Sequence, residues 1–463
     1  MQRINFKFHP VGIMIAVSTV ILLICSSLRH ILFQSTAYDL TIFDNGIYLI
    51  SQGETPFVSL RGIHILGDHA AFILYLVAVF YKIYPTVYWL FFLQAFSLSL
   101  GALPVWQLAK QANLSPQLST AIAASYLLYP LLFNVNLFDF HPEVMAIPAF
   151  FWAVLAVRNN VFFSFILAIL IILSCRDALS ISVAAMGIWL IIGEKKIKFG
   201  LIALGIGIFW FILATKVIVP QFSGEQVAAV ARYGFLGGSL SEIIVNLFLK
   251  PGLVLSHLFT ADNLEYLVLL LSPLLWGLLP QYFAPLISAF PILFLNLLTQ
   301  NQEQKDLLHQ YSLPILPFLI LVVIATLAAG KGWLKRPKSI ILWSLVAFFA
   351  LAKPGYFTSR YLEAKDTWQA TTEALTQVSD QGNVLTSANI APHLSHRSVV
   401  ELAIDGSDIT NLQQFDDIVL NKRHPGWNSS PQLVETLINR IEQIPEFKLT
   451  YQKDDVYLFQ KQP

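Results

Sequence analysis

Two acids near the start of the chain are placed to do chemistry. The segment Tyr38-Asp39-Leu40-Thr41-Ile42-Phe43-Asp44-Asn45-Gly46-Ile47-Tyr48, running on to Gln52-Gly53, directly follows the first long apolar run. Asp39 and Asp44 would there lie near a bilayer surface, where a carboxylate can deprotonate an acceptor hydroxyl or hold a divalent cation beside a phosphate; the alternative is a pair of solvated loop acids. A second group, Phe138-Asp139-Phe140-His141-Pro142-Glu143, sets Asp139, His141 and Glu143 beside a turn-forming proline. Those three can reach one metal ion or one phosphate, or they can form an Asp/His cap with Pro142 in the first turn of the next helix. In Ile63-His64-Ile65-Leu66-Gly67-Asp68-His69, Asp68 suits a helix N-cap with His69 paired to it. Arg176-Asp177 lies between two apolar runs, where a charged pair either orients helices or faces a cavity. Arg232-Tyr233-Gly234 and, ahead of a late apolar run, Lys305, His309 and Tyr311 offer donors that suit a lipid-phosphate headgroup. Ordinary anchoring at the interface is the alternative for these.

The elements that must position these groups are membrane helices. Of 463 residues, 56% are hydrophobic and 12% charged, about half the charged share of a soluble chain. A water-soluble fold has no way to hide so much apolar surface, so lipid is the solvent for most of it. The net charge of +1 gives no electrostatic basis for a nucleic-acid partner. The two cysteines, Cys25 and Cys175, exclude a disulfide framework. Walker, Rossmann, zincin and cysteine-based metal motifs are all missing, which leaves ATP-driven transport and cytoplasmic dinucleotide chemistry without support.

Apolar runs approaching the roughly 17–25 residues of a spanning helix cover 10–28, 86–108, 117–135, 143–157, 161–175, 178–193, 197–219, 264–280, 282–299, 312–330 and 338–352. Residues 70–84 are apolar too, but short and amphipathic, and suit a helix lying at the interface. With 70–84 not crossing, Arg3/Lys7, Lys110, Arg158, Lys195/Lys196/Lys198 and Lys331/Lys335/Arg336/Lys338 all fall on one side, the cytoplasmic one by the positive-inside rule. About eleven crossings follow, with an uncleaved first helix whose N-terminus is cytoplasmic. The outer loops are then 29–85 and 220–263, and nearly all the acids and histidines named above gather on the extracytoplasmic side. The chain reads as a mostly α, polytopic transmembrane helical bundle over 1–352 with a small α/β soluble domain over 353–463, extracytoplasmic, in the plasma (inner) membrane. Within that domain the pattern predicts a helix over 365–379, strands at VLTS (384–387) and DDIVLN (416–421), a helix over 431–444 and a hairpin over 447–461 turning near Lys453–Asp455.

Four stretches in this order resemble the DUF2079 membrane protein family, within the GT-C superfamily of membrane glycosyltransferases. They are YDLTIFDNGIYLISQG (38–53), GDHAAFILYLVAVFYKIYP (67–85), FDFHPE (138–143) and HQYSLPILPFL (309–319). SCRDAL and PHLSHR (392–397) are similar to family segments as well. The resemblance implies transfer of a sugar from a polyprenyl-phosphate donor to an acceptor of unknown identity on the outer face of the membrane, in the cell envelope. It matches the leading acid of the first outer loop to Asp39, fourteen residues before Gly53, with Asp44 the second candidate for the catalytic base. It matches the second-loop acid to Asp139, with His141, Glu143 and His69 positioning the acceptor or substrate, and it allows a divalent metal cation held by Asp39, Asp139 and His141. Arg232, His309 and Tyr311 would bind the lipid phosphate. Gln310 departs from the pattern, since relatives that bind lipid phosphate often carry Arg before the Tyr. The competing expectations are a non-catalytic membrane scaffold or sensor acting through the soluble domain, and a lipid or solute transporter. Transporters place ionisable groups near the bilayer midplane and carry repeats; here the polar groups cluster at helix ends and no repeat is visible.

Overall fold

The computed structural model describes residues 10–225, 228–407 and 410–462; Arg3 and Lys7, used above for orientation, lie outside the described residues. Among those described, six helices are long and apolar enough to cross a bilayer: Pro10–Ile31, Tyr88–Gln111, Pro116–Leu137, Ile197–Ser223, Gln310–Ala328 and Pro337–Glu363. A seventh candidate is the pair Pro251–Leu258 and Ala261–Gly277, bent by 55°. The remaining expected spans form as shorter helices, including Ala146–Arg158, Phe162–Cys175, Leu179–Ile192 and Leu286–Leu298. Prolines account for part of the shortening: Pro142 opens a 3-10 turn ahead of the first of these, and Pro280 opens another ahead of the last. Thirteen residues of helix rise only about 20 Å, so these helices rely on neighbouring protein to satisfy the backbone at their ends. Ile73–Ile83 has eleven residues, roughly 16 Å, about half the hydrocarbon thickness. The expected outer loop 220–263 is itself largely helical, with Leu240–Leu249 and Pro251–Leu258 within it.

By backbone proximity the chain forms two compact units. The first takes Met1–Leu23, Leu66–Ile73 and Phe92–Lys353; the second takes Ile24–Ile65, Leu74–Phe91 and Pro354–Pro463. In the first unit Gln310–Ala328 is the central helix, with 83% of its most apolar stretch buried, while Pro337–Glu363 buries only 22% of its own and turns the rest outward. Leu179–Ile192 and Ile197–Leu213 meet backbone to backbone. A Cβ on Gly187 would lie 2.5 Å from the Leu204 nitrogen, and one on Gly207 would lie 2.6 Å from the Ala184 nitrogen. Small residues at such a crossing let helices approach where lipid gives no hydrophobic drive to associate. Helix starts are capped as their sequences suggest: the Ser115, Ser239 and Thr260 hydroxyls accept from the backbone N–H of Leu118, Glu242 and Asn263. Ile197–Ser223 is interrupted by a π turn, Ala214–Ile218, that carries Lys216.

The second unit is built on strands. β1 (Phe57–Val58) and β2 (Ile63–His64) form a small hairpin. β3 (Val384–Thr386), β4 (Val400–Leu402), β5 (Asp417–Asn421), β6 (Phe447–Lys453) and β7 (Val456–Lys461) form a sheet in the order β4-β3-β5-β7-β6. β4, β3 and β5 run parallel, with Val384 opposite both Val400 and Asp417; β7 is antiparallel to β5 and β6. Asp454 and Asp455 both have positive φ, 47° and 63°, which fits the right-handed twist of a two-residue hairpin. Side chains alternate across the sheet. Leu385, Ile418, Leu420 and Phe459 pack with Val434, Leu437 and Ile441 of the helix Pro431–Ile441. Val384, Val400, Val419 and Leu458 pack on the opposite face with Ala37, Ala388, Ile390 and Leu394. β5 is therefore buried on both sides, which explains its near-continuous apolar run. Ser59 from the first loop satisfies the outer strand, accepting from the Val400 N–H at 2.9 Å and donating to the Val400 carbonyl at 2.8 Å.

Candidate functional site

In the first unit the helix Pro130–Leu137 ends at Phe138, and Asp139 takes a φ of 103° to reverse the chain. Few residues other than glycine adopt that conformation without cost. Gln94, from the helix Tyr88–Leu100, holds the turn. Its Nε2 donates to the carbonyls of Asp139 (2.8 Å) and Asn136 (3.2 Å), and its Oε1 accepts from the His141 N–H (2.9 Å). Pro142 then enters a 3-10 turn whose N-cap, His141, makes no side-chain cap hydrogen bond. Instead its Nδ1 lies 3.3 Å from the Asp139 carbonyl oxygen. Asp139, His141 and Glu143 are all buried.

Glu143 is ion-paired with Arg176. The charged partner of Arg176 is thus Glu143, 33 residues away in sequence, rather than its neighbour Asp177. Asp177 faces His69, with Oδ1 3.7 Å from Nδ1, and His69 also meets Asp68 at 3.6 Å. Arg176 and Arg232 both approach the Tyr311 ring, their guanidinium carbons 5.6 and 4.9 Å from its centroid, within the reach of a cation–π contact. Arg232 also donates to the Tyr311 hydroxyl at 3.0 Å. His309 is held by Asp306 (Nδ1 to Oδ2, 2.7 Å), and its ring lies 4.2 Å from that of Phe138. The expected lipid-phosphate residues Arg232, His309 and Tyr311 thus share one unit with Asp139, His141, Glu143 and His69. Among the described residues Arg232 has no carboxylate partner, so its charge is answered only by a phenol.

The same unit contains a cavity of about 800 Å³. Ile181, Leu204, Ile208, Phe211 and Phe294 give it apolar walls, with Asp177, Lys216 and Tyr233 among its few polar groups. Arg176, Arg232 and Tyr311 are not among its lining residues; the link to them is Tyr233, which lines the cavity and interacts electrostatically with all three. The sequence offered a sign of Lys216, a single lysine in an otherwise apolar run; nothing in the spacing linked it to Asp177.

Asp39 and Asp44 belong to the second unit. Asp39 sits on a π turn, Ala37–Thr41, half-buried, and accepts from the Thr36 hydroxyl at 3.2 Å. Asp44 begins the next helix, Ile42–Gln52, and is almost wholly buried. Its carboxylate accepts from the Tyr81 and Ser395 hydroxyls and lies 3.2 Å from Nε2 of His396. Asn45 fixes the same segment, donating to the carbonyls of Ser395 and Arg397, both at 2.7 Å. The His396 ring stacks on Tyr48, with centroids 4.7 Å apart and planes inclined by 4°. Burial alone would push the His396 imidazole down, but the Asp44 carboxylate overrides it and holds the group above its ordinary range. Asp44, Ser395, His396 and Arg397 line a cavity of about 270 Å³ with His30, His393, Asp380 and Thr86. His393 stacks on His30 at 3.9 Å and donates from Nε2 to the His30 carbonyl at 3.0 Å; burial pushes its imidazole down to about 4. Of the two first-loop acids, Asp44 is the one that lines a cavity rich in titratable groups.

Among the described residues no group of three or more His, Cys, Asp or Glu side chains is placed to hold a metal ion. The cation set Asp39, Asp139 and His141 has only the resemblance behind it, and no chemical step is assigned to a cation below.

No curated protein sequence matches the chain. Among solved structures the chain is similar to ArnT from Cupriavidus metallidurans bound to undecaprenyl phosphate, with a TM-score of 0.56 at 11% identity over 97% of each chain. The apo state of that protein gives a TM-score of 0.48 at the same identity and coverage. At this identity the first match establishes the fold, a GT-C-like helical architecture with a small C-terminal sheet domain. The profile of a family described as a predicted membrane protein matches residues 29–458. With that match spanning nearly the whole chain, the protein is a member of the DUF2079 membrane protein family.

Proposed function

We propose that this protein is a membrane glycosyltransferase that moves a sugar from a polyprenyl-phosphate donor to an acceptor hydroxyl at the extracytoplasmic face of the plasma membrane. The observation that carries the reading is Arg232: a half-buried guanidinium with no carboxylate partner among the described residues, set on Tyr311 and next in the chain to Tyr233, which lines an apolar cavity of about 800 Å³. Unbalanced positive charge linked through Tyr233 to an apolar cavity suits an amphiphile with an anionic head and a hydrocarbon tail. ArnT, whose fold this chain shares, was crystallised with undecaprenyl phosphate, an amphiphile of that kind. In this reading Arg232 and Tyr311 bind the phosphate and stabilise it as the leaving group, and His309, oriented by Asp306, supports them. Asp139 and His141, fixed by Gln94, position the substrate, while Glu143 is occupied in holding Arg176. His69, between Asp68 and Asp177, orders the polar end of the cavity. The reaction is inverting: the acceptor oxygen attacks the anomeric carbon as the bond to phosphate breaks. Asp44 is the better supported of the two catalytic acids, with Asp39 second.

The test is transfer from polyprenyl-phosphate-linked sugars by purified protein, comparing wild type with Asp44→Asn, Asp39→Asn and Arg232→Gln. General-base assistance is worth ~10²–10⁴-fold, and it depends on the Asp44 carboxylate whether that group takes the proton itself or holds the group that does, so Asp44→Asn loses at least two orders of magnitude while inserting normally. Arg232→Gln raises the donor KM and lowers kcat, since the guanidinium both binds the phosphate and stabilises it as it leaves. Wild-type protein that transfers from no such donor refutes the reading.

A further inference from the structure

We infer that His396, from the C-terminal α/β region, is the group that takes the acceptor's proton, with Asp44 orienting it from the first loop. The inference rests on the glycosyltransferase reading and adds to it a residue that lies 352 positions from Asp44.

The geometry is that of a carboxylate–imidazole pair opening onto a polar cavity. Nε2 of His396 lies 3.2 and 3.3 Å from the two Asp44 oxygens, so Nε2 carries the proton and donates. That fixes the tautomer and leaves the Nδ1 lone pair as the basic site. Among the described residues Nδ1 has no protein partner. The ring retains about a third of its exposure, 31%, whereas the Asp44 side chain has 1%. The imidazole, not the carboxylate, is therefore the accessible member of the pair. Asp44 is further committed by the Tyr81 and Ser395 hydroxyls, which occupy lone pairs that a proton-accepting carboxylate would need. Stacking on Tyr48 holds the ring plane, and the Tyr81 ring makes an edge contact with it at 5.8 Å between centroids.

The remaining charged and titratable groups around the ring are Arg397, which opposes a positive imidazole, and His30, His393 and Asp380 on the cavity wall. Arg397 is held by its own hydrogen bond, donating from Nε to the Leu394 carbonyl at 2.8 Å. In the step itself the acceptor O–H proton passes to Nδ1 as the acceptor oxygen bonds to the anomeric carbon. The anomeric carbon–oxygen bond to phosphate breaks with its electron pair, and polyprenyl phosphate departs. The imidazolium so formed is stabilised by Asp44, a division of labour known from hydrolytic triads. The acceptor class this selects is a small polar alcohol, such as a sugar or polyol hydroxyl, because the cavity walls mix imidazole, carboxylate, guanidinium and hydroxyl groups.

The experiment uses the full chain in lipid nanodiscs. Single-turnover transfer from a polyprenyl-phosphate-linked sugar is followed from pH 5 to 9 for wild type, His396→Gln and Asp44→Asn. In parallel, carbethoxylation of His396 by diethylpyrocarbonate is followed by peptide mass spectrometry over the same range. The expected result is a wild-type rate that rises with pH, with a midpoint above the ordinary histidine value, and a modification rate with the same midpoint. His396→Gln loses ~10²-fold or more and its pH profile flattens, and Asp44→Asn moves the modification midpoint down. If wild type is active and His396→Gln keeps its rate or an unaltered pH profile, the role of His396 is overturned while the glycosyltransferase reading stands. Wild type inactive with every donor overturns both.

Discussion

Replacing Glu143 by Gln separates a buried ion pair from ordinary helix packing. Arg176 is about nine-tenths buried and Glu143 more so, and the carboxylate is the only ion-pair partner of that guanidinium among the described residues. Removing one member of such a pair leaves an uncompensated charge in a medium of low dielectric, at a cost of about 3–5 kcal/mol. Tyr311, 5.6 Å from the Arg176 guanidinium, returns a fraction of this, on the order of 1 kcal/mol. The net loss is about 2–4 kcal/mol, a large part of the stability of a typical domain, and corresponds to a fall of roughly 3–6 °C in apparent melting temperature for a unit of this size. Replacing both residues, Glu143→Gln with Arg176→Met, removes the stranded charge and restores most of the loss, because a buried pair exchanged for apolar volume is often neutral. The assay is a double-mutant cycle on detergent-solubilised protein, read as thermal denaturation and checked by size-exclusion chromatography. A Glu143→Gln protein that melts with wild type, or a double variant that loses the sum of the two single losses, refutes the reasoning.

Protonation of His393 should cost stability in acid. With a folded value of about 4 against an ordinary 6.5, the unfolded chain binds the extra proton first. Stability is therefore fully present above pH 6.5 and falls by roughly 3 kcal/mol as pH drops through 4; chemical denaturation across that range shows a shallower slope for His393→Gln. Gly207→Leu forces side-chain atoms into the backbone of Ala184 and costs about 1–3 kcal/mol or more, seen as aggregation or lowered yield after extraction. The proposed orientation is checked by single cysteines at Lys196 and Asp454 in the cysteine-free chain: a membrane-impermeant maleimide labels intact cells at Asp454 and leaves Lys196 unlabelled.

The elements were legible where one physical signal dominates. The centre of DIVLN, Ile418-Val419-Leu420, is continuously apolar because β5 is covered on both faces, and the doublet Asp454-Asp455 marks the hairpin because both residues must take positive φ. Helix positions followed from apolar run length, but lengths did not, since Pro142 and Pro280 convert ends into 3-10 turns. The site was legible in its residue types and much less so in its pairings. Adjacency suggested Arg176 with Asp177, and the structure pairs Arg176 with Glu143. His69 was half-read: its contact with Asp68 is local, but its contact with Asp177 is not. Gln94 had a readable sign, since an amide inside FFLQAF must find partners when buried; which partners is a matter of helix packing. Nothing local in the first loop announces that Asp44 ends on Ser395 and His396, because such a pairing is decided by the path of the whole chain.

The second unit draws on residues 24–65, 74–91 and 354–463, and that division constrains the order of biogenesis. Ala37 waits for its partners Ile390 and Leu394, which the ribosome delivers only after some 350 further residues, on the order of tens of seconds at typical elongation rates. During that interval the first loop must stand without its sheet, so segments made late in synthesis are the ones that seal an early exposed segment. A nonsense mutation before Ile390 would therefore do more than trim the end of the protein: it would leave the Asp44 segment uncovered and open to proteolysis, and quality control would meet the defect at the amino-terminal side.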